Sequence, residues 1–364
     1  MSGTALPCVC FLTGTLNAFA GAERMTAVIA NALAERGYRV RILSLWDRAS
    51  VFPLHADVQH HALFEHRPSF KTAYLSTVLG IRRFVREHGI DVLIEVDTML
   101  ALFTVPATVR MNVRRIAWEH CHFDEDLGRR ARRVARRLAA RTDEAVVVLT
   151  QRDKDRWMTA LRPRSALHVI GNPLPFPIPT VGAPGDTQTV LAVGRLVPEK
   201  GFDLLLEAWA TVIRSHPAWR LVIVGEGVAR QTLELQRQRL GLEQTVALPG
   251  ASANVEAFYR NASIFCLSSR FEGFGLVLLE AMAFGLPVLS TDCETGPREI
   301  IENGRNGILV AVNSAPALAE GMLRLIENED LRRTLQTQSR ADAHGRSTAA
   351  IVSQWENLLN SPLR

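Results

Sequence analysis

Short apolar runs alternate with helical patterns along this chain, and that rhythm limits its fold more than any other feature. The runs fall at 9–12, 40–45, 92–96, 115–118 and 145–149, then at 189–193, 221–224, 246–248, 264–267, 287–290 and 307–310. Such spacing reads as βαβ units, hence α/β architecture with parallel sheets. Between the fifth and sixth runs lies Gly171-Asn172-Pro173-Leu174-Pro175-Phe176-Pro177-Ile178-Pro179, followed by Pro184-Gly185-Asp186. Alternating prolines remove backbone donors and forbid helix, so residues 173–187 are expected to be a linker. Two doubly wound halves result, 1–172 and 188–345. Open sheets of this kind bind ligands at the carboxyl ends of their strands, so facing halves are expected to enclose a cleft.

Composition narrows the class. With 364 residues, 47% hydrophobic and 22% charged, the chain reads as globular and excludes disordered, collagen-like and coiled-coil readings. Its five cysteines, Cys8, Cys10, Cys121, Cys266 and Cys293, are scattered without CxxC spacing, which supports neither a disulfide framework nor a zinc site and fits a reducing compartment. No basic region precedes the apolar N-terminal stretch, and no run reaches the roughly 18 apolar residues of a membrane span. A cytoplasmic protein is expected, at most peripheral on the inner face of the plasma membrane.

There are 42 basic and 37 acidic residues, but residues 129–141 alone hold seven arginines and no acid. Outside that segment the balance is near neutral, which argues against nucleic acid as a partner and for one anionic contact. At helical spacing Leu127, Ala131, Val134, Ala135 and Leu138 form one stripe, and all seven arginines fall on the opposite half. The bland reading is a solvated helix face. The sharper one gives Arg130, Arg133 and Arg137 an anionic membrane surface or the diphosphate of an acceptor.

The densest constellation is Glu272-Gly273-Phe274-Gly275-Leu276-Val277-Leu278-Leu279-Glu280, within a strand–loop–helix pattern. Gly273 and Gly275 admit a ligand to the backbone, and the helix start near Leu276 offers amides to phosphate. Glu272 and Glu280, roughly 7 Å apart along the helix axis, suit two hydroxyl-bearing parts of one elongated ligand. A second strand-to-helix turn, Gly194-Arg195-Leu196-Val197-Pro198-Glu199-Lys200-Gly201, adds Arg195 and Lys200 for a diphosphate.

Together these segments resemble the family 4 retaining glycosyltransferases of GT-B fold, in which two Rossmann-like domains face a cleft. The resemblance extends to Val224-Gly225-Glu226-Gly227, Gly296-Pro297-Arg298-Glu299-Ile300-Ile301 and Asn306-Gly307, and covers most of residues 8–330. It implies that the first half binds the acceptor and the second a nucleotide-sugar. Glu280 would hold the donor ribose, Arg195 and Lys200 the diphosphate, and Glu272 the transferred sugar. Phe274, Gly275 and Leu276 would present backbone amides, and leaving-group charge would be met without a metal or other cofactor. Ala20-Gly21-Ala22-Glu23-Arg24 is similar to the family's glycine-rich loop with Ala20 for its usual first glycine; Gly14 and Gly21 would approach the donor phosphates. In Trp118-Glu119-His120-Cys121-His122-Phe123 the resemblance favours His120 as the functional histidine, with His122 the second choice. It further implies that the terminal segment 346–364 returns to the first domain. Asp124-Glu125-Asp126 and Asp153-Lys154-Asp155 imitate a metal-binding DxD but read as surface acids on helices.

The expected activity is retaining sugar transfer from a nucleotide-sugar, UDP-linked before GDP-mannose, to a glycan acceptor, in particular one on polyprenyl diphosphate, in bacterial surface polysaccharide or glycan assembly. The competing readings are a GT-B sugar-nucleotide 2-epimerase, a non-enzymatic anionic-lipid-binding module, and an NAD-linked oxidoreductase. The last has only Gly225 and Gly227 of its three fingerprint glycines in Gly225-Glu226-Gly227-Val228-Ala229-Arg230.

Overall fold

The computed structural model describes residues 6–69, 71–126, 128–252 and 254–361, and the chain divides into two compact units, Met1–Pro175 with Thr348–Arg364, and Phe176–Ser347. In the first unit, β1 (Cys8–Thr13), β2 (Arg39–Trp46), β3 (Gln59–Phe64), β4 (Val92–Glu95), β5 (Arg114–Trp118), β6 (Ala145–Val148) and β7 (Ala166–Val169) form one parallel sheet in the order β3-β2-β1-β4-β5-β6-β7. Its helices are α1 (Gly21–Glu35), α2 (Tyr74–Glu87), α3 (Ala101–Ala107), α4 (Arg130–Thr142) and α5 (Gln151–Leu161). The central strands β1, β4 and β6 are buried at every position. Covered on both faces, they appear in sequence as unbroken apolar runs.

Two strands depart from the five runs expected in this half. β3, Gln59-His60-His61-Ala62-Leu63-Phe64, and β7, Ala166-Leu167-His168-Val169, are the two edges, and none of their residues is fully buried. An edge strand keeps one side of its backbone unpaired and tolerates polar residues, so it lacks the apolar signature of the centre.

The second unit holds β8 (Thr189–Val193), β9 (Arg220–Val224), β10 (Val246–Gly250), β11 (Ile264–Leu267), β12 (Val288–Thr291) and β13 (Ile308–Val310), parallel throughout in the order β10-β9-β8-β11-β12-β13. Its helices are α6 (Phe202–Ser215), α7 (Arg230–Arg239), α8 (Val255–Arg260), α9 (Leu276–Ala283), α10 (Pro297–Ile300), α11 (Ala315–Glu327) and α12 (Glu329–His344). Both sheets are Rossmann-like. Each has a topological switch point, at β1/β4 and at β8/β11, where the connections leave in opposite directions and the strand ends open a crevice. Residues 176–187, expected as linker, pack on the second unit. The Phe176 and Phe284 rings lie 5.6 Å apart, Ala183 N–H donates to Phe284 O at 2.8 Å, and Arg340 donates to Pro179 O and Thr180 O.

The last helix, α13 (Thr348–Leu359), belongs to the first unit and lies against α1. Trp355, fully buried, meets the Trp118 ring edge-on at 4.9 Å, and Arg114 caps the helix by donating to Leu358 O and Leu359 O. Removing so large a buried ring leaves a cavity beneath β5. Trp355→Ala is expected to cost about 3–5 kcal/mol in denaturant unfolding of the first unit, against a negligible change for the exposed Gln354.

Candidate active site

The loops that leave β8 and β11 meet at the switch point of the second sheet. Arg270, just past β11, forks onto Asp203 of the first turn of α6 at 2.7 and 2.6 Å and donates to Pro198 O. Ser268 Oγ donates to Lys200 O at 2.9 Å. These contacts draw the 198–201 turn against the strand end and explain Gly201. Its φ is +62°, and a Cβ there would lie 2.2 Å from Ser268 O.

Lys200 is thereby delivered to Glu272. Lys200 Nζ lies 2.5 Å from Glu272 Oε1, which also accepts from Ser269 Oγ at 2.7 Å. Glu272 is buried, while its Oε2 has no partner among the described residues. Thr295 Oγ1 donates to the Glu272 carbonyl at 2.6 Å, and a Cβ on Gly296 would stand 2.7 Å from Phe274 O, so the 293–296 segment braces the loop from behind. Gly275, at φ +87°, turns the chain into α9, whose first amides have no intrahelical acceptor. Glu280 lies one turn further, buried, and accepts from Tyr259 Oη at 2.9 Å.

A buried carboxylate paired with ammonium beside a helix N-terminus offers cation, amides and acceptor oxygens within one loop system. Of the expected donor residues, the structure brings Lys200, Glu272, Phe274, Gly275 and Leu276 together and sets Glu280 on the helix that follows. Arg195 is solvent-exposed, without an ion pair among the described residues, on a turn whose Gly194 abuts the Lys200 stem. Gly225 and Gly227 have a packing task. Cβ atoms there would fall 1.9 Å from Gly194 O and 2.3 Å from Leu196 O, so both glycines admit the Gly194–Leu196 turn. That accounts for them without a dinucleotide.

In the first unit, α1 begins at Gly21. Ala20 precedes it in extended backbone at φ −131°, a conformation alanine adopts freely, so the departure from glycine costs nothing there. After β5, Glu119 is buried and His120 half-buried, the latter packed at a tilt against Trp118 with ring centroids 4.3 Å apart. His120 Nε2 is enclosed and has no hydrogen-bond partner among the described residues, and burial lowers the ring's pKa to about 4. His122 is more deeply buried; its Nδ1 accepts the Asp124 N–H at 2.8 Å and its carbonyl accepts from Arg136. His122 thus shapes the turn, and His120 is the histidine with an uncommitted ring nitrogen.

The expectation that α4 turns all seven arginines outward is corrected. Arg132 and Arg136 are buried beside Ala135, Ala139 and Ala140, whereas Ala131 and Val134 face solvent; Leu127 lies outside the described residues. Arg132 grips Asp97 with both terminal nitrogens, at 2.9 and 2.8 Å, and reaches Glu119 at 3.2 Å. Arg136 Nε meets the other Glu119 oxygen at 2.9 Å, and its remaining nitrogens donate to the carbonyls of His122, Phe123 and Glu125. Thr98 Oγ1 and Cys121 N–H complete the Glu119 shell. The small alanines let the helix approach closely, and two long cations fill the gap to the half-buried Asp97 after β4 and the buried Glu119 after β5. Arg130, Arg133 and Arg137 do face outward. Asp124, Glu125 and Asp126 sit in the turn before α4 rather than on a helix. Asp124 pairs with Arg156 and Asp126 with Arg133, while Asp153, on α5 and buried, accepts the Phe123 N–H.

Two family profiles match the chain, Glycosyltransferase Family 4 over residues 19–175 and Glycosyl transferases group 1 over residues 178–342. An uncharacterized glycosyltransferase of Haemophilus influenzae is 32% identical over 96% of this chain and 99% of its own length. The Campylobacter jejuni alpha-1,4-N-acetyl-D-galactosaminyltransferase, named for a diphospho-undecaprenol-linked GalNAc acceptor, is 26% identical over 96% of this chain and 98% of its own. Among solved structures, Anabaena HepE in complex with UDP superposes with a TM-score of 0.81 at 23% identity, over 98% of this chain and 100% of that one, which marks the GT-B fold.

Two measurements check the first-unit network. Arg136→Ala takes one of two cations from the buried Glu119 and three donors from the 122–125 carbonyls, and is expected to lose about 3–5 kcal/mol in chemical unfolding, whereas Arg137→Ala on the exposed side stays within about 0.5 kcal/mol; equal losses would contradict the burial described. For His120, an unfolded histidine takes its proton near 6.5 and the native ring near 4, so native stability falls as pH drops through that window and is unaffected by this group above it. An NMR titration should place the His120 midpoint close to 4.

Proposed function

This chain belongs to the family 4 glycosyltransferases, and from that premise we propose that it moves a sugar, with retention, from a nucleotide-sugar to a glycan acceptor in the assembly of bacterial surface polysaccharide. The Lys200–Glu272 pair at the entrance to α9 carries the proposal. A nucleoside diphosphate would lay its phosphates on Lys200, Arg195 and the amides at Phe274, Gly275 and Leu276. Its ribose hydroxyls would meet Glu280, and hydroxyls of the transferred sugar Glu272. By the family resemblance Gly21 would approach the donor phosphates, and His120, neutral at physiological pH, would hold a hydroxyl of the donor sugar.

In the proposed reaction the anomeric C–O bond to the diphosphate breaks. The acceptor oxygen bonds from the same face, and its proton passes to the departing phosphate. Negative charge grows on the leaving group, where fixed cations and amide dipoles are in place before the reaction starts. Those groups supply the stabilisation a divalent ion would otherwise give, so no metal is invoked. UDP is the favoured carrier over GDP, in keeping with the UDP complex of HepE. The undecaprenol-linked acceptor of the Campylobacter relative supports a polyprenyl-diphosphate-linked glycan, and the outward Arg130, Arg133 and Arg137 suit an anionic diphosphate or membrane surface.

A sugar-nucleotide 2-epimerase would use the same donor loop but has no task for an exposed arginine face. A lipid-binding module alone would leave the buried Lys200–Glu272 pair without a purpose. Calorimetry with UDP in the presence of EDTA should show micromolar-range binding, weakened about tenfold or more by Glu280→Gln. Unchanged affinity in that variant would contradict the ribose assignment, and binding that requires magnesium would contradict metal independence.

A further inference from the structure

The first sheet runs through right-handed crossovers that set α2, α3 and α4 side by side on one face, α2 against α3 and α3 against α4, while α1 and α13 cover the other. Each of these helices buries one side on the sheet and leaves the other free. The free side of α2 is unusual. Leu75 and Leu79, one turn apart, are 71% and 62% exposed, and one and two turns further on the same stripe come Arg82 and Arg86, with Arg83 beside them. On α4 the free side carries Arg130, Arg133, Arg137 and Arg141 around the exposed Val134. Between them α2 and α4 contain one acid, Glu87, which is held by Arg83. Among the described residues, five of the eleven exposed large apolar side chains lie on this layer: Tyr74, Leu75, Leu79, Val109 and Val134. Both apolar exposure and positive charge are thus concentrated on one face of a chain that is otherwise close to neutral.

We propose that this α2–α4 face docks on an anionic lipid bilayer, with Leu75 and Leu79 entering the headgroup–acyl boundary while the arginines of α2 and α4 lie against lipid phosphates. It deepens the reading of a lipid-linked acceptor and assigns the insertion to α2, since α4 spends Arg132 and Arg136 inside the protein. A nucleic acid would meet the arginines but gain nothing from two leucines standing in water, whereas the headgroup–acyl boundary of an anionic bilayer takes both. Among the described residues no helix is long and apolar enough to cross a membrane, so the contact proposed is interfacial. Arg86, Arg130, Arg137 and Arg141, which have no carboxylate partner among the described residues, are available to lipid without breaking a native ion pair.

The test is co-sedimentation of the full chain with vesicles of phosphatidylcholine alone and of phosphatidylcholine mixed equally with phosphatidylglycerol. The wild type should partition onto the mixed vesicles only. Leu75→Ser with Leu79→Ser should lower that partitioning at least tenfold, and Arg130→Gln or Arg137→Gln about fivefold each. These side chains touch solvent, so thermal unfolding should be unchanged. A Leu75→Trp variant gives a second readout, a blue shift in the emission of the introduced indole on mixed vesicles. Full partitioning by the serine variant, an emission from the Leu75→Trp variant that does not shift, or equal binding to neutral vesicles would overturn the proposal. UDP affinity, measured on the same variants, separates the two claims. If it is normal while vesicle binding is lost, the docking face is supported; if the wild type docks but binds no nucleotide, the donor reading fails and the docking stands.

Discussion

A carboxylate buried at the end of a parallel sheet must be matched by a cation, and the second unit is arranged around that requirement at Glu272. Lys200 comes from a different strand-end turn, so the pair can form only if the two turns touch. The glycines and short polar residues of the region serve that contact. Gly201 lets the turn lie on Ser268 O, Gly296 lets the brace lie on Phe274 O, and Arg270 with Asp203 fixes the approach. The same pair leaves one Glu272 oxygen, the ammonium and the first amides of α9 facing the loop system, which is why one ion pair serves both the fold and the proposed chemistry.

The first unit solves a like problem differently. Two acids at the ends of β4 and β5 are met by two arginines from one helix, and the carbonyls of the 122–125 turn use the donors left over. His120 is held next to this network, packed against the Trp118 ring and starved of a partner for Nε2, so its basicity is suppressed by burial and not by a neighbouring cation. Helix α4 therefore has two electrostatic sides. One neutralises the interior at short range, where removal of a partner is costly. The other projects charge into solvent, where single arginines contribute little to stability and a large amount to association with anions.

What can be read from sequence follows from burial. Strands covered on both faces, such as β8 and β11, stand out as apolar runs and are found at their observed bounds, as is the turn from loop into helix between Glu272 and Glu280 that follows β11. The edges β3 and β7 are mixed in polarity and invisible to the same criterion. Hydrophobic periodicity also misplaces the buried side of α4, because it counts arginine as exterior; the better signal is the small-residue set Ala135, Ala139 and Ala140, which marks where a helix comes close to its support. Tyr259, Ser269 and Thr295, which hold the two glutamates, carry no motif of their own. Their roles depend on distances across the fold that no local spacing encodes.

On this reading an activated sugar nucleotide is gripped where Lys200, Glu272 and the start of α9 meet. The most direct measurement is a crystal structure of the protein with UDP bound. Phosphate oxygens are predicted at hydrogen-bond distance from the Gly275 and Leu276 amides and from Lys200, with a ribose hydroxyl on Glu280. UDP held elsewhere, with this loop unliganded, would contradict it.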